Sequence, residues 1–236
     1  EPHIREKTRD LQIRINPKVS SDRVREITLP TNPAPGESTW FYHPDKDIDL
    51  AIIRLNMNPL FDQGFEATFF SDKLHAATVA KMKELEVSAG DGVFVLGFPL
   101  NLSGIDRSYI IVRQGIIARV NELLNGASRS FMLDSFAFPG NSGGPVVLKP
   151  EITAIEGTKV NSKAYLIGVL TEYRSYNDVA VSQQTGQPRI VFQENSGLAN
   201  VLPVDNIDAA IVAWRKAHPV TALPPPPQLL TPPSTK

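Results

Sequence analysis

Short runs of β-branched and aromatic residues recur along the chain, each closed by a cluster of Pro, Gly, Asn, Asp or Ser. This pattern predicts strands over Leu11–Asn16, Val24–Leu29, Thr39–His43, Leu50–Leu55, Gly92–Leu96, Tyr109–Val120, Ser130–Asp134, Pro145–Leu148, Ala164–Tyr173, Arg189–Gln193 and Ala199–Pro203. Turn clusters such as Pro30–Glu37 and Ser88–Gly92 separate them. Many short strands with such punctuation predict an all-β sandwich or a pair of antiparallel barrels. Two stretches have helical periodicity. Ser71–Leu85 is the weaker; in Asp205–Ala217, Ile207, Ile211 and Trp214 fall on one face, with Asp205 placed to be the N-cap. Beyond the second helix, seven of the 18 residues of Pro219–Lys236 are Pro, which predicts an extended tail without a core. Leu223–Gln228 is the stretch of that tail suited to docking on a partner, and a plain linker or tail is the simpler expectation.

Composition narrows the chemistry. The 236 residues are 42% hydrophobic, enough for one or two domains with a real core. With 24 basic and 25 acidic side chains, charge gives no reason to expect nucleic acid or an anionic membrane as partner. No apolar run approaches the ~18 residues of a membrane-spanning helix. Zero cysteines exclude a disulfide framework, thiolate metal ligands and a cysteine nucleophile. The four histidines, His3, His43, His75 and His218, are scattered without zinc spacing. Asp45, Asp47 and Asp49 open like a calcium loop, but Leu50 and Asn56 stand where a glycine and a bidentate glutamate are required. Gly90–Gly92 lacks the partners of a phosphate cradle. No metal or cofactor is therefore expected. Glu1–Asp10 is polar and not like a signal peptide; localisation stays open between a bacterial cytoplasm and a periplasm, since absent cysteines fit both.

The informative string is Phe138-Pro139-Gly140-Asn141-Ser142-Gly143-Gly144-Pro145. It sets a hydroxyl in a tight glycine turn that leads into the apolar strand Val146–Leu148. Glycines on both sides admit backbone geometry closed to other residues and let a substrate chain approach without Cβ contact. Such a turn can aim the N–H groups of Gly140 and Ser142 at one point, as a developing oxyanion requires. Asp49 directly precedes the apolar run Leu50–Leu55. At a strand mouth its carboxylate could accept an imidazole N–H and fix the tautomer of a general base. Asp47 is its competitor, set further from the strand.

These residues resemble the trypsin-like (chymotrypsin-fold) serine proteases, most of all the cysteine-free bacterial kind that includes the HtrA-type proteases. Gly140–Pro145 matches the nucleophile motif, which makes Ser142 the nucleophile by resemblance. Asp49-Leu50-Ala51-Ile52-Ile53 matches the motif of the triad aspartate. Val93–Pro99, Tyr109–Val120, Leu166–Val169 and Gly197–Pro203 resemble strands of the second barrel, in the right order. The resemblance covers roughly residues 8 to 215 and implies two antiparallel β-barrels. The expected organisation is an N-terminal barrel over 1–70 with its first strands missing, a connection over 71–90, and a second barrel over 91–204 carrying the nucleophile. A C-terminal helix over 205–218 and a disordered Pro-rich tail over 219–236 follow. The implied activity is that of an endopeptidase: Ser142 attacks, a His carries the proton, Asp49 orients the His, and Gly140 and Ser142 hold the oxyanion.

The histidine is where the sequence departs from the family. A serine hydroxyl needs a base within hydrogen-bond reach, and the Thr-Ala-x-His or Thr-Asn-x-His segment that would supply it is absent. Only four candidate strands occur by Leu55, where a closed barrel needs about six to leave no unpaired edge. The expectation is that the first strands and the His lie before Glu1 or on a separate segment, with His3 and a catalytically inactive form as the alternatives. His43, His75 and His218 are expected at the surface. The apolar approach Phe136-Ala137-Phe138-Pro139 predicts an apolar residue before the scissile bond, since such a pocket cannot neutralise Lys or Arg. Asp134 is given a structural role. The competing functions are a protease-like module that binds peptides by strand addition and an esterase on the same fold.

Overall fold

Alternation in Leu11-Gln12-Ile13-Arg14-Ile15 produces β1 (Asp10–Pro17), which buries Ile15 and Pro17 and leaves Asp10 and Gln12 exposed. The computed structural model describes residues 10–31, 38–150 and 162–219. It divides into two units, Glu1–Phe69 with Ser103–Tyr109 and Asn206–Lys236, and Phe70–Leu102 with Ile110–Asp205.

In the first unit β1 pairs antiparallel with β2 (Arg25–Pro30), Leu11 facing Leu29 and Ile13 facing Ile27. A separate hairpin joins β3 (Trp40–Tyr42) to β4 (Ala51–Ile53), so the strand expected over Leu50–Leu55 is shorter at both ends. The short helix α1 (Asn58–Asp62) has Pro59 in its first turn, where a missing N–H costs nothing. β5 (Phe65–Glu66) returns to the end of β1. Ile15, Ile27, Leu60 and Phe65 make the unit's core. Ser103–Tyr109 is stitched to β1. Asn16 exchanges hydrogen bonds of 2.8 and 2.9 Å with the Ser108 backbone. Arg107 donates to the Pro17 carbonyl at 2.9 Å and to Glu66 Oε1 at 2.7 Å. Among the described residues these strands form a three-stranded and a two-stranded sheet and close no barrel.

The second unit starts with α2 (Val79–Glu84). It continues through β6 (Gly92–Gly97), β7 (Ile111–Arg119), the helical turn α3 (Asn121–Leu124), β8 (Phe131–Asp134), β9 (Pro145–Leu148), β10 (Tyr165–Val181) and β11 (Pro188–Pro203). The strands close a barrel in the order β10-β11-β8-β7-β6-β9. Closure pairs every strand on both sides and removes the open edges of a sheet. Val93, Val95, Ile117, Leu133, Ile167 and Val201 fill its interior. The chain is thus all-β in the main, with a closed barrel and a C-terminal helix.

Three expectations are corrected. Helix does not run from Ser71 to Leu85: residues 75–77 lie along β10, with Ala77 N–H on the Leu166 carbonyl (2.8 Å) and Leu166 N–H on that of His75 (2.7 Å). Helix can begin only past Thr78, whose side chain caps Lys81 N–H. Asp205 is not the N-cap of the last helix, α4 (Val204–Ala217), but lies inside its first turn. Its carboxylate instead accepts the Val79 N–H at 2.8 Å, at the start of α2. Finally, Arg189–Gln193 and Ala199–Pro203 are one strand. Polar Glu194 and Asn195 between them are held by pairing with Tyr176 and Ser175, a long-range contact that local pattern does not encode.

Candidate active site

The link from β8 to β9 carries the glycine turn. Asn141 N–H bonds the Phe138 carbonyl at 2.9 Å, Asn141 Oδ1 accepts the Phe138 N–H at 3.0 Å, and Gly144 N–H bonds the Asn141 carbonyl at 2.9 Å. Two outside anchors hold the turn. Leu100 N–H donates to the Pro139 carbonyl at 2.7 Å, and Leu170 of β10 exchanges bonds with Gly143 N–H (2.7 Å) and the Gly144 carbonyl (3.0 Å). Gly140 and Gly143 sit at φ +94° and +81°, a region that a side chain makes costly. At Gly140 a Cβ would also come within 2.6 Å of the Phe98 carbonyl oxygen.

Out of this turn Ser142 points to solvent, and its Oγ donates to the Thr171 carbonyl of β10 at 2.8 Å. The neighbouring Asn141 is fully buried, with Nδ2 unpartnered. Among the described residues, the backbone N–H groups of Gly140 and Ser142 meet no backbone acceptor. The turn can therefore present a hydroxyl oxygen together with two N–H donors, on either side of Asn141, that have no backbone acceptor among the described residues. Sequence reasoning had no signal for Thr171, because what it contributes is a main-chain carbonyl. Asn141 stood inside the motif, and its burial could not be read there.

Asp49 belongs to the first unit. It is exposed, two residues before β4, and its carboxylate makes no hydrogen bond or ion pair among the described residues. The turn before it is held by others: Asp45 Oδ1 accepts the Asp47 N–H at 3.0 Å, and His43 N–H bonds the Leu50 carbonyl at 2.8 Å. So Asp47 and Asp45 serve the turn, while Asp49 is uncommitted among the described residues.

His43 corrects the surface expectation: it is half-buried, its Nδ1 lies 3.1 Å from Asp45 N, and its Nε2 is buried with no partner. His75 is exposed, its Nδ1 accepting the Ser71 N–H at 2.9 Å. His218 stacks on Trp214, ring centroids 4.8 Å apart, and is half-buried rather than at the surface. His3 lies outside the described residues, as do most of the Pro-rich tail and its stretch Leu223–Gln228. Asp134 is exposed, and no side-chain contact among the described residues carries the structural role expected of it. Phe136 stacks on Phe138 (centroids 6.5 Å apart) and covers Gly197, whose Cβ would lie 3.6 Å from Phe136 Cζ. Arg113 lies over the other ring, its guanidinium carbon 5.1 Å from the Phe138 centroid.

The family model of the trypsin-like peptidase domain matches residues 11–151. The chain belongs to this family. As a trypsin-like peptidase domain it has the chymotrypsin fold, and polypeptide is the substrate class that membership implies. The match spans Asp49 and Ser142 and stops before β10, so β10, β11 and α4 lie beyond it. No curated protein matches the chain. Among the described residues, no cluster of His, Asp and Glu is built to hold a metal ion, and no helix is long and apolar enough to cross a membrane.

Proposed function

We propose that this trypsin-like peptidase is a serine endopeptidase that cleaves polypeptides through an acyl-enzyme. Ser142 Oγ attacks the carbonyl before the scissile bond while a histidine takes its proton. The tetrahedral oxyanion is held by the Gly140 and Ser142 N–H groups. The histidine then protonates the leaving amine, and water releases the acyl group by the reverse sequence. Asp49 orients the histidine. The observation that carries this reading is the exposed Ser142 hydroxyl in a turn whose two neighbouring N–H donors lack a backbone acceptor. Preorganised donors of this kind contribute on the order of 10²–10³ in rate each.

The base is a histidine other than the three described ones, and His3 is the candidate within this sequence. Elimination supports this: His43 Nε2 is buried, His75 holds its own turn and His218 is stacked on Trp214. Phe136, stacked on Phe138 and covering Gly197, favours an apolar residue before the scissile bond. One observation favours the second reading, an inactive peptide-binding module: the Ser142 hydrogen goes to a carbonyl, not to a base. A fluorophosphonate probe on the full-length protein separates the two. Labelling at Ser142 that is lost in Ser142→Ala supports the hydrolase, and loss in His3→Ala as well would assign the base. An unlabelled, folded protein that still binds peptides would establish the module.

A further inference from the structure

We propose that the outer edge of β10, beyond the barrel, joins a second copy of this chain in a two-fold dimer, with Tyr176 meeting its counterpart on the axis. Past the barrel β10 and β11 continue as a two-stranded ribbon, paired as far as Val181 and Pro188. A turn closes it, with Ser182 N–H on the Gln187 carbonyl at 2.9 Å. β9 lies along β10 only from Tyr165 to Val169, and over residues 172–181 no other strand among the described residues pairs with that side of β10. Every residue of this stretch is exposed. A lone two-stranded ribbon is marginal in water, and an unpaired edge is a template for another chain.

The charges along this edge specify the partner. A two-fold axis perpendicular to a sheet keeps each residue on its own face, so residues opposed across it have numbers of the same parity. With the axis at Tyr176, Arg174 faces Asp178 of the other copy, and symmetry makes this pair twice. Tyr173 then faces Val179 and Ser175 faces Asn177, apolar on apolar and polar on polar. Neighbouring registers lose the match. An axis at Ser175 sets Glu172 against Asp178, and one at Asn177 sets Arg174 against Ala180 and Asp178 against Tyr176. An axis at Arg174 or at Asp178 sets like charges on each other. On β11 the opposite charges Arg189 and Glu194 differ in parity, so no two-fold register pairs them.

Side chains and main chain are both free to pair in this way. Asp178 makes no hydrogen bond or ion pair among the described residues. Arg174 lies 3.8 Å from Glu172 Oε1, an oxygen that already accepts from Asn200 Nδ2 at 2.7 Å. An exposed pair of this kind holds its arginine weakly. The Arg174 carbonyl accepts the Ser196 hydroxyl at 2.6 Å and so faces β11. The irregularity beside Arg174 puts its extra residues on β11, and β10 keeps its alternation. The main-chain groups of Tyr173, Ser175, Asn177 and Val179 therefore face outward and supply about eight hydrogen bonds across the axis. Tyr176 forms a non-hydrogen-bonded pair with its counterpart, Cα atoms about 4.5 Å apart. The face that holds Tyr176 is mixed, with Asp178 and Glu194 beside Ala180, Ile190 and Phe192. In the dimer Arg174 neutralises Asp178, and the two Glu194 side chains stand three strand spacings apart, about 14 Å, beyond the screening length at physiological salt. The paired stretch begins two residues past Thr171, whose carbonyl accepts the Ser142 hydroxyl, so one four-stranded sheet links the two Ser142 turns.

The test needs no catalytic activity. Sedimentation velocity of the full chain, from about 1 to 100 μM, should show a monomer–dimer equilibrium. Arg174→Asp and Asp178→Arg each set two like-charge pairs across the axis and should weaken the dimer at least about tenfold at low salt. An equimolar mixture of the two single variants should associate again, because each supplies the charge the other needs, and a folding defect could not produce that recovery. The double exchange of Arg174→Asp with Asp178→Arg should restore the dimer as well. The chain has no cysteine, so a single introduced thiol reports the register without background. In mild oxidant Tyr176→Cys, with its Cα atoms close enough to bridge, should cross-link at least about tenfold faster than Ser175→Cys or Asn177→Cys, whose counterparts lie diagonally about 7–8 Å apart. A wild type that stays monomeric at about 100 μM overturns the proposal. So does a dimer that both charge reversals leave unchanged, or a mixture of folded variants that fails to associate. Fastest cross-linking at Val191→Cys also overturns it, since that would place the contact on β11.

Discussion

Gly143 and Gly144 are adjacent, yet the same alanine substitution should do different things to them. At Gly143 an added Cβ meets nothing within 4 Å, and the only penalty is φ +81°. Holding an L-residue there costs about 1–2 kcal/mol. At Gly144 the Cβ would stand 2.4 Å from the Leu96 carbonyl oxygen and 2.8 Å from that of Asn141. Leu96 belongs to β6, paired with Val112 of β7, and does not give way easily. The turn must move instead, by more than half an ångström, and Ser142 moves with it. Overpacking of this kind costs about 1–3 kcal/mol, and a misplacement approaching 1 Å near the chemistry costs on the order of 10²-fold in rate. Urea unfolding followed by far-UV circular dichroism reads the stability of each variant, and the rate of fluorophosphonate labelling at Ser142 reads its position. Both variants should be destabilised by comparable amounts, with Gly143→Ala keeping its labelling rate within a few-fold and Gly144→Ala losing about a hundredfold. If Gly144→Ala labels normally while Gly143→Ala does not, the steric account of the turn is wrong.

Other outcomes follow from single contacts. Ile167→Ala removes a side chain with 0% exposure from the barrel interior and should cost about 2–5 kcal/mol in denaturant unfolding; a loss below ~1 kcal/mol would mean that the barrel is loosely packed there. Arg107→Met keeps the stem but leaves the Pro17 carbonyl and Glu66 without their donor, so a loss of about 2–3 kcal/mol is expected. In 1 M salt the share due to Glu66, which is 51% exposed, should shrink, while the share due to the Pro17 carbonyl, bonded by an Arg107 side chain only 11% exposed, should persist. Asn141→Asp keeps the acceptor for the Phe138 N–H but sets a carboxylate where burial is complete. Burial raises its folded-state pKa, so the variant should match wild type at low pH and lose stability as pH climbs above about 4. A pH-independent difference between the two would show that the new carboxylate finds a donor.

Period-2 alternation was readable wherever a strand buries one face, as in Leu11–Ile15, because each residue there reports its own burial. The glycine turn around Ser142 was readable for a different reason: a run of glycines around one hydroxyl states a backbone requirement that other residues rarely meet. Less could be read where a partner distant in sequence sets the outcome. Ser71–Leu85 has helical periodicity, but hydrogen bonds from β10 hold residues 75–77 extended. Asp205 has the chemistry of a cap and caps a different helix, through a contact to Val79.

The amino-acid order by itself therefore determined the all-β class and the closing helix, and it named the candidates for chemistry, Ser142 with Gly140 and Asp49. These follow from local backbone preference and side-chain type. Only the tertiary structure decided that the Ser142 hydroxyl meets the Thr171 carbonyl, that Asn141 is buried beside it, and that β10 and β11 pair with each other on past the barrel. Main-chain groups carry those features. Every residue has the same carbonyl and N–H, so their pairing is fixed by where the fold places them and leaves no mark in the pattern of side chains.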